Sequence, residues 1–83
     1  MNHHTLFDTK PGDRFRIREI RVEGVLRRRL LDLGFIPGAL VEVLYQSPLG
    51  DPVAYRVSQS TIALRKEESQ KIWGEKLGDE TNE

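Results

Sequence analysis

Residues Arg27-Arg28-Arg29-Leu30-Leu31-Asp32-Leu33-Gly34-Phe35-Ile36-Pro37-Gly38 read as a helix that stops abruptly and turns into a strand. Gly34 stands where a helix end needs a left-handed residue, a conformation glycine adopts without a Cβ clash. With Gly34 at the C′ position, Leu30 and Phe35 fall at the C3 and C″ positions. Those two positions make the apolar contact that accompanies a Schellman stop. Pro37 cannot continue the helix, and Pro37-Gly38 suits a turn. Val41, Val43 and Tyr45 then alternate with the two-residue period of a strand.

The flanking chain is read against that helix. Arg14-Phe15-Arg16-Ile17-Arg18 alternates, predicting a strand with Phe15 and Ile17 inward and three arginines outward. Gly24 serves as an N-cap, and the helix runs to about Leu33. At about 100° per residue, Val25, Leu26, Leu30 and Leu33 share one face, Arg28 and Asp32 lie opposite, and Leu31 falls between Arg27 and Arg28. Arg28 and Asp32 have the i, i+4 spacing of a pair. Pro48-Leu49-Gly50-Asp51-Pro52 is a loop, because two prolines remove ladder donors and Gly50 permits a positive φ. Val53, Tyr55 and Val57 make a further strand, and Ser58-Gln59-Ser60 turns the chain into another through Ile62 and Leu64. Lys66–Lys71 is a short helical turn, and Ile72, Trp73 and Leu77 form a last strand, with Trp73 in the core.

Four or five short strands with one inserted helix imply a small, strongly bent sheet, and closure into a barrel removes its exposed edges. The expected fold is mainly β: an SH3-like barrel with one helix between the first two strands and a helical turn before the last. Residues 1–6 are expected to be a mobile tail, 7–77 the single domain, and 78–83 a disordered acidic tail. At 83 residues there is room for one domain.

The formal charge is zero, but residues 1–38 carry eight Lys/Arg against five Asp/Glu, and the remainder five against eight. That balance disfavours strong non-specific binding to nucleic acid while leaving room for a local arginine face. With no cysteine, neither a disulfide nor a thiolate metal site can form. No apolar run approaches the ~20 residues of a membrane span, and Met1–Thr5 holds no apolar core of a signal peptide. A soluble cytoplasmic protein is the expectation.

Catalytic chemistry finds little support. There is no G-x-x-x-x-G-K-[ST] phosphate loop. The only histidines are His3 and His4, with no nucleophile–base pair in view. Met1-Asn2-His3 has the spacing of a square-planar copper or nickel site, a geometry that suits no ferrous ion, and is read as a solvated terminus. The expectation is therefore no enzyme, no cofactor and no metal ligand. The arginines Arg14, Arg16, Arg18, Arg27, Arg28 and Arg29 admit three readings: a solvated surface, a protein-docking face or a nucleic-acid face. Leu31 is either packed under a neighbouring segment or an exposed anchor; the second alternative joins it to Arg27, Arg28, Arg14, Arg16 and Arg18 as candidate partner-binding residues.

Three separated stretches resemble the FeoA family: Arg28–Gly38, then Ser47-Pro48-Leu49-Gly50-Asp51-Pro52, then Leu64-Arg65-Lys66-Glu67-Glu68. The resemblance covers about residues 7–74. It marks Leu30, Gly34, Phe35, Pro37, Gly38, Pro48, Gly50, Asp51 and Pro52 as structural motif positions. It implies a cytoplasmic accessory protein of bacterial ferrous iron uptake, with an SH3-like barrel. It also implies a partner, the FeoB-type membrane permease with its cytoplasmic G-protein region, whose GTPase it would regulate or whose assembly it would assist. The same barrel occurs at the C-terminus of metal-dependent repressors, but no DNA-binding helix pair precedes it in this sequence. The alternative function is an SH3-like module that binds nucleic acid or the ribosome. Steep weakening of binding with salt would mark that alternative.

Overall fold

The computed structural model describes residues 3–77, in the order β1 (His4–Thr5), a 3-10 turn (Leu6–Asp8), β2 (Arg14–Ile20), α1 (Gly24–Leu33), β3 (Leu40–Gln46), β4 (Val53–Val57), β5 (Ser60–Leu64), α2 (Lys66–Ser69) and β6 (Ile72–Leu77). The strands form one antiparallel sheet in the order β1-β6-β2-β3-β4-β5. Chain reversals place β3, β4 and β5 side by side. β6 returns to the far side of β2, so the first and last strands meet. One apolar cluster runs through the molecule, drawing Phe15 and Ile17 from β2, Val41 and Val43 from β3, Tyr55 from β4, Leu64 from β5 and Ile72 from β6. Burying these side chains is the main stabilising term of so small a domain.

The helix ends as its sequence predicts. Gly34 has φ +106°, its N–H donates to the Leu31 carbonyl at 3.0 Å, and the Phe35 N–H donates to the Leu30 carbonyl at 2.9 Å. Those are the two bonds of a Schellman stop, and Leu30 and Phe35 are both fully buried. A Cβ on Gly34 would also lie 2.8 Å from the Ser58 Oγ, so the helix end and the β4–β5 turn touch at a point only glycine fits.

Several expectations are corrected. His4 and Thr5 pair with Gly74 and Trp73 of β6, and Leu6 is completely buried. The ordered fold therefore begins before residue 7, and α1 lies between the second and third strands. The expected acidic tail, 78–83, and Met1-Asn2 of the copper-type spacing fall outside the described residues. Glu23, not Gly24, occupies the cap position of α1. Val25, assigned to the apolar stripe, is 85% exposed, whereas Leu31 is half-buried and packs against the core. The helix is turned about its axis further toward its Leu31 side than the centre of its apolar pattern suggests. Arg28 and Asp32 are not paired. Tyr45 is 62% exposed, because β3 shifts register between Val43 and Tyr45 and the extra residue, Leu44, reverses the alternation. A like shift in β2 between Ile17 and Glu19 carries the strand on to a buried Ile20. Trp73 is only half-buried, with the Arg21 guanidinium 4.3 Å from its ring centroid.

Candidate docking groove

The segment after the helix is folded by its own residues. Ile36-Pro37-Gly38-Ala39 closes on a 2.9 Å bond from the Ala39 N–H to the Ile36 carbonyl, with Gly38 at φ +91°. Proline second and a positive-φ glycine third make a type II turn. Three bonds pin this turn to β2. The Gly38 N–H donates to the Ile17 carbonyl at 2.7 Å, the Ile17 N–H to the Ala39 carbonyl at 3.0 Å, and Arg16 Nη1 to the Gly38 carbonyl at 3.0 Å. So held, the turn presents Ile36 beside Leu40 of β3; the two are 47% and 43% exposed.

These residues line an open groove of about 670 Å³. Pro37 and Ala39 extend its apolar surface, and Ser58 and Gln59 of the β4–β5 turn form one end. Across the outer face of the sheet, Arg14 of β2, Glu42 of β3 and Arg56 of β4 stand in register on neighbouring strands. All three line the groove and all three are exposed. The groove is thus an aliphatic strip crossed by a row of charge, two guanidiniums to one carboxylate.

The arginines singled out by sequence are not one surface. Arg14 lines the groove, and Arg16 abuts it through Gly38. Arg18 donates twice to Glu75 Oε2 of β6, at 2.9 and 2.7 Å. Arg27 donates to the Ile20 carbonyl at 3.0 Å and lines a separate shallow depression with Arg21 and Glu23. Arg29 pairs with Glu68 at 3.2 Å, tying α1 to α2. The side chains of Arg14 and Arg28 have no hydrogen-bond or ion-pair partner among the described residues. Most of the arginines therefore fasten segments to one another. Sequence reasoning missed Ile36, Leu40 and Arg56; only Ile36, next to the turn-forming Pro37, carried a local signal.

The loop between β3 and β4 is structural at its base. Asp51 Oδ1 accepts the Lys66 N–H at 2.8 Å, and Glu68 Oε1 accepts the Arg65 N–H at 2.9 Å, so two of the orphan donors at the start of α2 are met. The Gly50 N–H donates to the Ser47 carbonyl at 2.8 Å with Gly50 at φ +87°, and Leu49 at the tip is 94% exposed. Among the described residues no three His, Asp or Glu side chains gather as a metal ion would require, and no helix is long and apolar enough to cross a membrane.

The model of the FeoA domain matches residues 4–76. Over 67 residues the chain is 37% identical to a fusion protein of Fe(2+) transport protein A and the Fe(2+) transporter FeoB from Porphyromonas gingivalis. The match takes in 81% of this chain and 8% of that protein, so the chain spans only a small part of that relative's length. Among solved structures, a FeoA-like protein from Clostridium acetobutylicum superposes with a TM-score of 0.87 at 25% identity, covering 100% of this chain and 96% of that one. FeoA of Stenotrophomonas maltophilia, described as a prokaryotic SH3 domain protein, superposes with a TM-score of 0.67 at 25% identity, covering 82% and 85%. The bent six-stranded sheet with its inserted helix is the SH3-like fold of these proteins, and the chain belongs to the FeoA family.

Proposed function

We propose that this chain is a non-enzymatic cytoplasmic accessory protein of ferrous iron uptake that docks on the cytoplasmic G-protein region of a FeoB-type permease. The fusion relative carries the reading: there, a segment 37% identical to this chain is covalently joined to a FeoB transporter. Two activities that act together are often joined in one polypeptide, because the linker replaces diffusion with a high effective concentration. The groove supports it too, since a contiguous exposed apolar strip marks an interaction site and arginine is enriched at protein interfaces. A non-catalytic role fits a sequence whose only histidines are His3 and His4.

The test is binding of the purified chain to the cytoplasmic region of its cell's FeoB-type permease, with GTP hydrolysis followed in parallel. Saturable binding supports the reading, and a changed hydrolysis rate assigns the chain to regulation rather than assembly. Absence of binding at the highest attainable concentration, with and without nucleotide, overturns it.

A further inference from the structure

We infer that the groove takes an amphipathic helix of a protein partner, acidic along both margins of its apolar stripe. The inference rests on the docking reading above and names what docks. Peptides are commonly held by strand addition, by polyproline recognition or by a helix in a groove. Strand addition needs a free edge, yet β2, β3 and β4, which form the groove floor, are each paired on both sides. Polyproline segments dock between aromatic walls, and none of the groove's ten lining residues is aromatic. This groove therefore lacks the aromatic surface that reads proline. An aliphatic strip made by Ile36 and Leu40 suits the i, i+3, i+4, i+7 face of a helix.

Spacing and charge fix the occupant further. Arg14 and Arg56 flank Glu42 in register. With strands about 4.8 Å apart, the two outer backbones lie about 10 Å from one another. That matches the about 10–12 Å diameter of a helix with its side chains. A helix lying over β3 along the strands sets its apolar stripe on Leu40 and each margin beside one guanidinium. Arginine binds carboxylates by a planar fork, so acidic margins are selected. Glu42 lies beneath the occupant and repels the same margins. Removing its charge therefore strengthens binding, a sign that no structural role of Glu42 would produce.

The experiment is amide shift mapping of the intact chain with three synthetic peptides of equal length. The first is a helix with Leu at i, i+3, i+4 and i+7 flanked by Glu; the second replaces Glu by Lys; the third is a Pro-x-x-Pro peptide. The acidic helix is expected to give saturable shifts centred on Ile36, Leu40 and Arg56, and the other two none. Arg56→Glu weakens it by roughly ten-fold, and Glu42→Gln tightens it by about two- to three-fold. Both residues are exposed, and unchanged melting curves exclude misfolding. Absence of saturable binding by the acidic helix, equal or better binding by the other peptides, shifts centred elsewhere, or weaker binding by Glu42→Gln overturns the inference. A permease region that binds but is not displaced by the acidic helix also overturns it and leaves the docking reading standing. The acidic helix binding as expected, with the permease region not binding, supports the groove's chemistry and removes the permease as partner.

Discussion

Leu30, Leu31 and Val25 share one helix and carry very different loads. Leu30 is fully buried at the Schellman stop, Leu31 is half-buried against the core, and Val25 is 85% exposed. Truncation to alanine should follow that order: about 2–5 kcal/mol for Leu30, less for Leu31, and under about 0.5 kcal/mol for Val25. Chemical denaturation of the three variants checks it; a Val25 loss equal to that of Leu31 would place the helix in a different rotation. Tyr55 gives a pH dependence. It is 1% exposed, and burial, the largest cause, raises its hydroxyl pKa above the ordinary 10.0. The hydrogen bond with Ser69 acts the other way, and the nearby Asp51 carboxylate adds to the rise. A raised folded-state pKa means that, above about pH 10, the unfolded chain loses this proton before the folded one does. The contribution is complete below that pH and is lost as pH climbs through the folded value. Alkaline unfolding curves should therefore be shallower in Tyr55→Phe than in the parent between pH 9 and 11, on the order of that ordinary value. Parallel curves would show the hydroxyl reaching solvent.

At the scale of elements, what could be read in advance was what neighbouring residues decide. The helix stop rests on Leu30, Gly34 and Phe35, and the turn after it on Pro37 and Gly38, all within nine residues. The bulges at Arg18 and Leu44 were not legible, because each is set by the register of a partner strand distant in sequence. The groove was hidden for the same reason: Arg14, Leu40 and Arg56 come from three strands and meet only in the sheet. Strand β6 shows how narrow these tolerances are. Gly74 pairs with both Ile17 and His4, and a Cβ there would run into the backbone carbonyl of Arg16 and come within 2.9 Å of the Phe15 ring. Neither neighbour can give, since one belongs to the ladder and the other to the core. Gly74→Ala should cost about 3 kcal/mol or more and pull β6 from β2. Hydrogen exchange resolves this: faster exchange at β2 and β6, with β4 and β5 less affected, is the expected pattern, and native protection throughout would refute it.

At the scale of the whole molecule, the shortest strand, β1, forms one edge of the sheet. β1 has only two residues and no alternating pattern, so nothing local announces it. It is held from outside, by β6, and by Leu6, which enters the common core with no exposed surface. The Thr5 N–H donates to Asp8 Oδ2 at 3.0 Å and the Thr9 hydroxyl to the Leu6 carbonyl at 2.7 Å, fixing the turn that delivers Leu6. A domain this small has no spare core, and its net stability is the small remainder of large opposing terms. Leu6→Ala should therefore cost about 2–5 kcal/mol. At about 4–8 °C per kcal/mol for a domain of this length, the melting temperature should fall by at least ~8 °C. Thermal unfolding by circular dichroism measures it, with Leu49→Ala as the control, since Leu49 is 94% exposed and should leave the curve in place. A Leu6 variant that melts with the parent would mean that the sheet is complete without β1.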